Sequence, residues 1–159
     1  MKKKYITIAI IFVVLISVDL ITKSTFVGAD YNVIPHLINF VYTENKGAGF
    51  SILEGQTILL ISISLVMVVG LVLYDVFAKR KHTLYNISFA LIVTGAIGNM
   101  IDRIAFGYVR DFIQFDFWQS FPIFNVADIC LTIGVILFAI FILFFDKTNK
   151  EIKIKENNK

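Results

Sequence analysis

The chain has 159 residues, 57% of them hydrophobic and 17% charged, with a formal net charge of +3. That balance lies outside the range of soluble domains and marks a membrane protein. A single cysteine excludes an internal disulfide and any cysteine-based metal cluster, and no basic patch interleaved with aromatics argues for nucleic acid.

A bilayer core takes about 20 mostly apolar residues per helix, and four stretches meet that need. The first covers residues 4–22, behind Lys2, Lys3 and Lys4. It runs into Asp19-Leu20-Ile21-Thr22-Lys23 with no small-x-small site after it, which reads as a retained helix and not a cleaved signal peptide. Residues 24–55 follow as a polar segment holding Gly28, Pro35, Gly47 and Gly49. Within it Leu37 to Thr43 is rich in β-branched and aromatic residues, predicting one or two strands and a glycine-permissive turn. The second span, 56–75, ends at a basic connection, Lys79-Arg80-Lys81.

The third span covers 83–103. Ala90, Thr94, Gly98 and Asp102 recur every four residues along it, giving a small-residue face that suits close helix packing in lipid. Residues 105–124 carry eight aromatics, from Phe106 to Phe124, and are predicted to lie along the membrane interface. The fourth span covers 125–145, with a solvated tail at 146–159. The expected fold is an all-α membrane protein, one integral membrane domain of four transmembrane helices with a small β-rich segment outside the bilayer.

Four crossings place both termini and the basic connection on one side, which collects eleven of the fifteen basic residues. The other side keeps Lys23, Lys46, Arg103 and Arg110 against eight of the twelve acids. The excess of positive charge predicts cytoplasmic termini in a multi-pass protein of the cell membrane. His36 and His82 then fall on opposite sides and cannot form one site. Cys130, inside the fourth span, reads as an inert buried thiol.

Polarity gathers at the outer ends of the spans. Asp19 and Lys23 stand four apart at the end of the first; Asn99, Asp102 and Arg103 end the third; Asn125 and Asp128 open the fourth. Asp19 with Lys23, and Asp102 with Arg103, read as structural ion pairs or anchors. Asp111 and Asp128 read as unpaired aspartates on the outer side, with an aromatic loop between them. Carboxylates where spans meet the surface are functional candidates. Two of them close together tend to share one proton, so that one takes a proton from water while the other donates to a peptide carbonyl. That chemistry needs no metal and no other cofactor. Asn125 is placed to fix a carboxylate, and Arg103 to stabilise negative charge. A non-catalytic transporter or partner-binding subunit would equally explain bridging asparagines and acid–base pairs.

Five ordered motifs add to this reading: Asp19-x-x-Thr22-Lys23, Asn45-x-Gly47-Ala48, Gly98-Asn99-x-x-Asp102-Arg103, Val109-x-Asp111-Phe112 and Phe124-Asn125-x-Ala127-Asp128. Together they resemble the bacterial lipoprotein signal peptidases, signal peptidase II, over nearly the whole chain. The resemblance implies an aspartic endopeptidase that cleaves diacylglyceryl-modified prolipoproteins just before the lipid-modified cysteine, near the outer leaflet. It implies that Asp111 and Asp128 are catalytic, that Asn45, Gly47, Asn99, Arg103 and Asn125 line or support the substrate site, and that Asp19, Lys23 and Asp102 support the structure. The expected partners are prolipoprotein and membrane lipid, with one copy of the chain sufficient. Gly49 and Ile129 depart from the family pattern, where alanine and a small polar residue are usual, and bear at most on packing or substrate fit.

Overall fold

A computed structural model describes residues 2–78 and 80–146. Lys79 of the basic connection and the tail from 147 onward lie outside the described residues. Four helices follow the apolar stretches closely: α1 (Lys2–Thr25), α2 (Thr57–Ala78), α3 (Thr83–Phe106) and α4 (Val126–Ile140), the last prolonged by a π-helical turn, Phe141–Phe145. All four are long and apolar enough to cross a membrane.

α3 is the central helix. In its apolar stretch 61% of residues are buried, against 6% in α1 and in α2. The small face predicted for it is all inside, with Ala90, Thr94, Gly98 and Asp102 buried. A Cβ at Gly98 would stand 2.6 Å from Asp19 Oδ2 and 3.1 Å from the Ala127 Cβ, so this position lets α1 and α4 close on α3 together.

The polar segments form one antiparallel sheet in the order β1 (Asp30–Ile34), β2 (Ile38–Asn45), β3 (Val109–Phe115). The second outer segment contributes β3, whose residues Val109 to Phe112 are buried in the sheet. Phe112 explains its position: its ring stacks on Phe26 at 4.9 Å and meets Phe40 edge-on at 5.5 Å, seating the sheet on the end of α1. The aromatic residues beyond β3 pack on one another, Trp118 on Phe121 at 5.0 Å and Phe115 on Phe124 at 5.1 Å.

At the opposite end of the bundle from the sheet, one ion pair joins α1 to α2 and another joins the α2–α3 connection to the residue that ends the last helix. Lys4 pairs with Asp75 and lies over the Tyr85 ring, and Arg80 meets Asp146 at 2.9 Å.

Candidate active site

Asp111 and Asp128 are 17 residues apart in sequence, and β3 carries the chain between them. α3 ends at Gly107, whose backbone N–H returns to Arg103 O, and the chain then reverses into β3. Asp102 fixes the start of that strand. Its carboxylate accepts from the Arg110 backbone N–H at 3.0 Å and from the Arg110 guanidinium at 2.8 and 3.2 Å. At the free edge of β3, Phe124 exchanges backbone hydrogen bonds with Ile113 at 2.8 and 3.0 Å. Residue 124 is therefore held beside the strand, and Asn125 and α4 begin next to Asp111.

Asn125 then joins the two carboxylates. As the N-cap of α4 its side-chain oxygen accepts from the Asp128 N–H at 2.9 Å, while Asp128 Oδ2 accepts from the Asn125 N–H at 3.2 Å. This reciprocal cap satisfies two backbone donors left open at a helix start. The same residue donates from Nδ2 to Asp111 Oδ1 at 2.6 Å. One asparagine thus holds both aspartates.

Two further amides complete the cage. Asn45 Nδ2 donates to Asp111 Oδ2 at 2.9 Å, and Asn99 Nδ2 donates to Asp128 Oδ1 at 2.7 Å. Asn99 cannot turn around, because its oxygen accepts from Lys23 Nζ at 3.0 Å and from Asn125 Nδ2 at 3.1 Å. Lysine only donates, so its position fixes which end of Asn99 faces Asp128. Lys23 is itself fully buried between Asp19 Oδ2 at 2.8 Å and Asp102 Oδ2 at 3.6 Å. Asp19 also accepts from the Ala127 N–H at 2.9 Å, tying α1 to the start of α4.

Among the described residues neither Asp111 nor Asp128 makes an ion pair. Asp111 is buried and Asp128 half-buried. Burial raises the Asp111 carboxyl above the ordinary carboxylate range to about 7, and the charge of Asp128 adds to the rise. The amides of Asn45 and Asn125 and the charge of Lys23 pull the other way. Near neutrality this site can both accept and release a proton.

The structure departs from expectation at Asp102 and Arg103. They do not pair: Asp102 binds Arg110, and Arg103 donates to Gly47 O at 2.6 Å and more weakly to Asn99 O at 3.5 Å. Neighbouring residues on a helix point about 100° apart, and i,i+1 side chains do not face each other. Arg103 thereby clamps the turn after β2. A Cβ at Gly47 would stand 2.9 Å from Ile52 O and from Ser51 C, so only glycine lets that turn fold so tightly. Its N–H donates to Asn45 Oδ1 at 2.9 Å, which orients the Asn45 amide toward Asp111.

Sequence reading missed Arg110, which holds Asp102 and also donates to Ser24 Oγ at 3.1 Å. It also missed Phe50, which sits in a short 3₁₀ turn, Gly49–Ser51, and meets the Phe121 ring edge-on at 6.0 Å above the cage. The β-branched and aromatic residues Val109, Phe112, Ile113 and Phe115 were the available sign of β3.

The family model described as Signal peptidase (SPase) II matches residues 11–144. Proteins named lipoprotein signal peptidase are similar over most of this chain. That of Clostridium tetani is 41% identical over 141 residues, covering 84% of this chain and 90% of the relative. That of Staphylococcus haemolyticus is 39% identical over 157 residues, covering 94% and 99%. A solved bacterial membrane enzyme, determined by the in meso method at 2.3 Å resolution, superposes with a TM-score of 0.82 at 35% identity, covering 91% of each chain.

Proposed function

The chain belongs to the signal peptidase II family, and on that premise we propose that Asp111 and Asp128 are the catalytic dyad of an aspartic endopeptidase. As a member of that family it is a multi-pass membrane peptidase of lipoprotein precursors. In the finer reading it cuts the diacylglyceryl-modified prolipoprotein just before the modified cysteine.

The observation that carries this reading is the single asparagine, Asn125, bonded to both carboxylates at 2.6 and 3.2 Å. Two carboxyl groups held so close share one proton at neutral pH. The ionised one takes a proton from water as the water oxygen attacks the scissile carbonyl carbon; the protonated one donates to the carbonyl oxygen. The tetrahedral intermediate collapses when the C–N bond breaks, the amine leaves with a proton from the dyad, and the shared proton is restored. Asn45, Asn99 and Asn125 hold the carboxylates at fixed positions, so little reorganisation is needed as charge moves. Gly47 and Arg103 support the turn that orients Asn45, and Asp19, Lys23 and Asp102 brace Asn99 and the start of α4. The chain acts as one integral membrane domain and one copy suffices. Its termini are cytoplasmic by the distribution of basic residues, which puts the dyad near the outer leaflet.

The test is cleavage of a diacylglyceryl-modified prolipoprotein by the purified protein in the presence of a metal chelator. Wild type should cleave, and Asp111→Asn and Asp128→Asn should not, although both fold. Near-native turnover by either variant would remove the dyad. Folded wild type that cleaves nothing would favour the binding or transport reading.

A further inference from the structure

The two aspartates stand at the boundary between cavities of opposite character. Asp111 lies on the wall of a cavity of about 410 Å³, together with Thr43, Lys46, Ser51, Glu54 and Ser120. Asp128 lines one of about 250 Å³ with Phe115, Phe121, Phe124, Ile129 and Ile133. Neither cavity holds both carboxylates. Phe50, Pro122 and Ile123 wall the first from a third space, of about 260 Å³, on the Asp128 side.

Sheet register explains the polar wall. Thr43 is paired with Asp111 across β2 and β3, so both side chains project from one face, and Asn45, two residues on, projects with them. Lys46 and Glu54 rim the cavity from the connection between β2 and α2. Both are exposed, and neither makes a side-chain hydrogen bond or ion pair with any described residue. Hydroxyls and the opposite charges of Lys46 and Glu54, with Glu44 also on the wall, suit a polar chain and would penalise a lipid or an apolar helix.

We propose that the cavity beside Asp111 seats the residues that follow the modified cysteine, and that Lys46 and Glu54 read the charge of their side chains. This rests on the reading of Asp111 and Asp128 as a prolipoprotein-cleaving dyad. A bond attacked between the two carboxylates leaves a product on either side. The apolar signal segment matches the phenylalanine-lined space at Asp128. The residues after the modified cysteine, which must pass into water, match the open polar space at Asp111. A volume of 410 Å³ lies within the range of about 300–1,000 Å³ typical of ligand pockets. Each charge then favours the opposite charge in the substrate, which makes the two residues separately testable.

The experiment uses the full chain and three lipid-modified prolipoproteins that differ only in the two residues after the modified cysteine: Ser-Ser, Lys-Lys or Asp-Asp. The readout is the Lys-Lys to Asp-Asp ratio of kcat/KM within each variant, which cancels any general change in activity. K46E should raise that ratio and E54K should lower it, each by roughly three- to tenfold, the range expected when an exposed attraction becomes a repulsion. Ratios equal to wild type in both variants would overturn the subsite and leave the dyad standing. Failure of folded wild type on all three substrates would instead overturn the dyad. A benzophenone side chain at the second residue after the cysteine decides the occupant independently of any variant. Adducts within residues 43–54 or at Ser120 support the assignment, and adducts within residues 129–133 refute it.

Discussion

Replacing Lys23 with methionine separates support of the fold from support of the reaction. Lys23 Nζ touches Asp19 at 2.8 Å, Asn99 at 3.0 Å and Asp102 at 3.6 Å, with no exposure to solvent. The groups around it are Asp19 on α1, Asn99, Asp102 and Arg103 on α3, Arg110 and Asp111 on β3, and Asp128 on α4. Asp102 keeps Arg110 when Lys23 is lost, but Asp19 is left buried without its cation. Breaking a buried pair from one side costs about 3–5 kcal/mol, and thermal unfolding should register that loss. The second effect is on Asn99, whose amide loses the donor that fixes it toward Asp128. A hydrogen bond to a charged group is worth about 1.5–3 kcal/mol, so kcat should fall by roughly 10- to 100-fold. Lys23 also lowers the Asp111 carboxyl, so its removal raises Asp111 further above 7 and moves the acid limb of kcat/KM to higher pH. The double variant D19N/K23M removes both charges and should regain most of the lost stability without regaining kcat. If it regained both, Lys23 would act only by neutralising Asp19, and the chain from Lys23 through Asn99 to Asp128 would carry nothing catalytic.

Asp111→Asn should abolish cleavage and leave unfolding unchanged or improved, because it removes a buried group that charges only with difficulty; a marked loss of stability would contradict this. The same group sets a pH dependence. Its folded pKa, about 7, lies above the ordinary value of 3.8, so its contribution is fully present below pH 3.8 and is lost as pH rises through 7; D111N should flatten the fall in melting temperature across that window. Gly98→Ala should cost about 1–3 kcal/mol by overpacking against Asp19 and Ala127, checked by thermal unfolding in detergent. Arg110→Lys should fail to restore the stability lost in Arg110→Ala, because a point charge cannot reproduce the forked bonds to both oxygens of Asp102.

What was legible in the sequence follows from which constraints act locally. Lipid forbids charge over about 20 residues, so the spans could be read from charge-free stretches to within a few residues. The Asp19–Lys23 pair could be read as well, since both lie on one helix four apart. Asp102 shows where that logic ends. Its nearest cation in sequence is Arg103, yet its partner is Arg110, because the turn at Gly107 and the direction of β3 bring residue 110 back past the end of α3. The spacing of 17 residues between Asp111 and Asp128 was equally silent, since their meeting depends on Phe124 bonding to Ile113 at the edge of a strand that the aromatic content of 105–124 disguised. The residues of the site were therefore readable as an inventory, because each one violates the apolar rule of its surroundings. The pairing among them was not, because it is decided by helix rotation and strand register. That division also explains why Asn125 bears so much of the geometry: it stands where α4 begins and β3 is pinned, and it caps the one while bonding to the other.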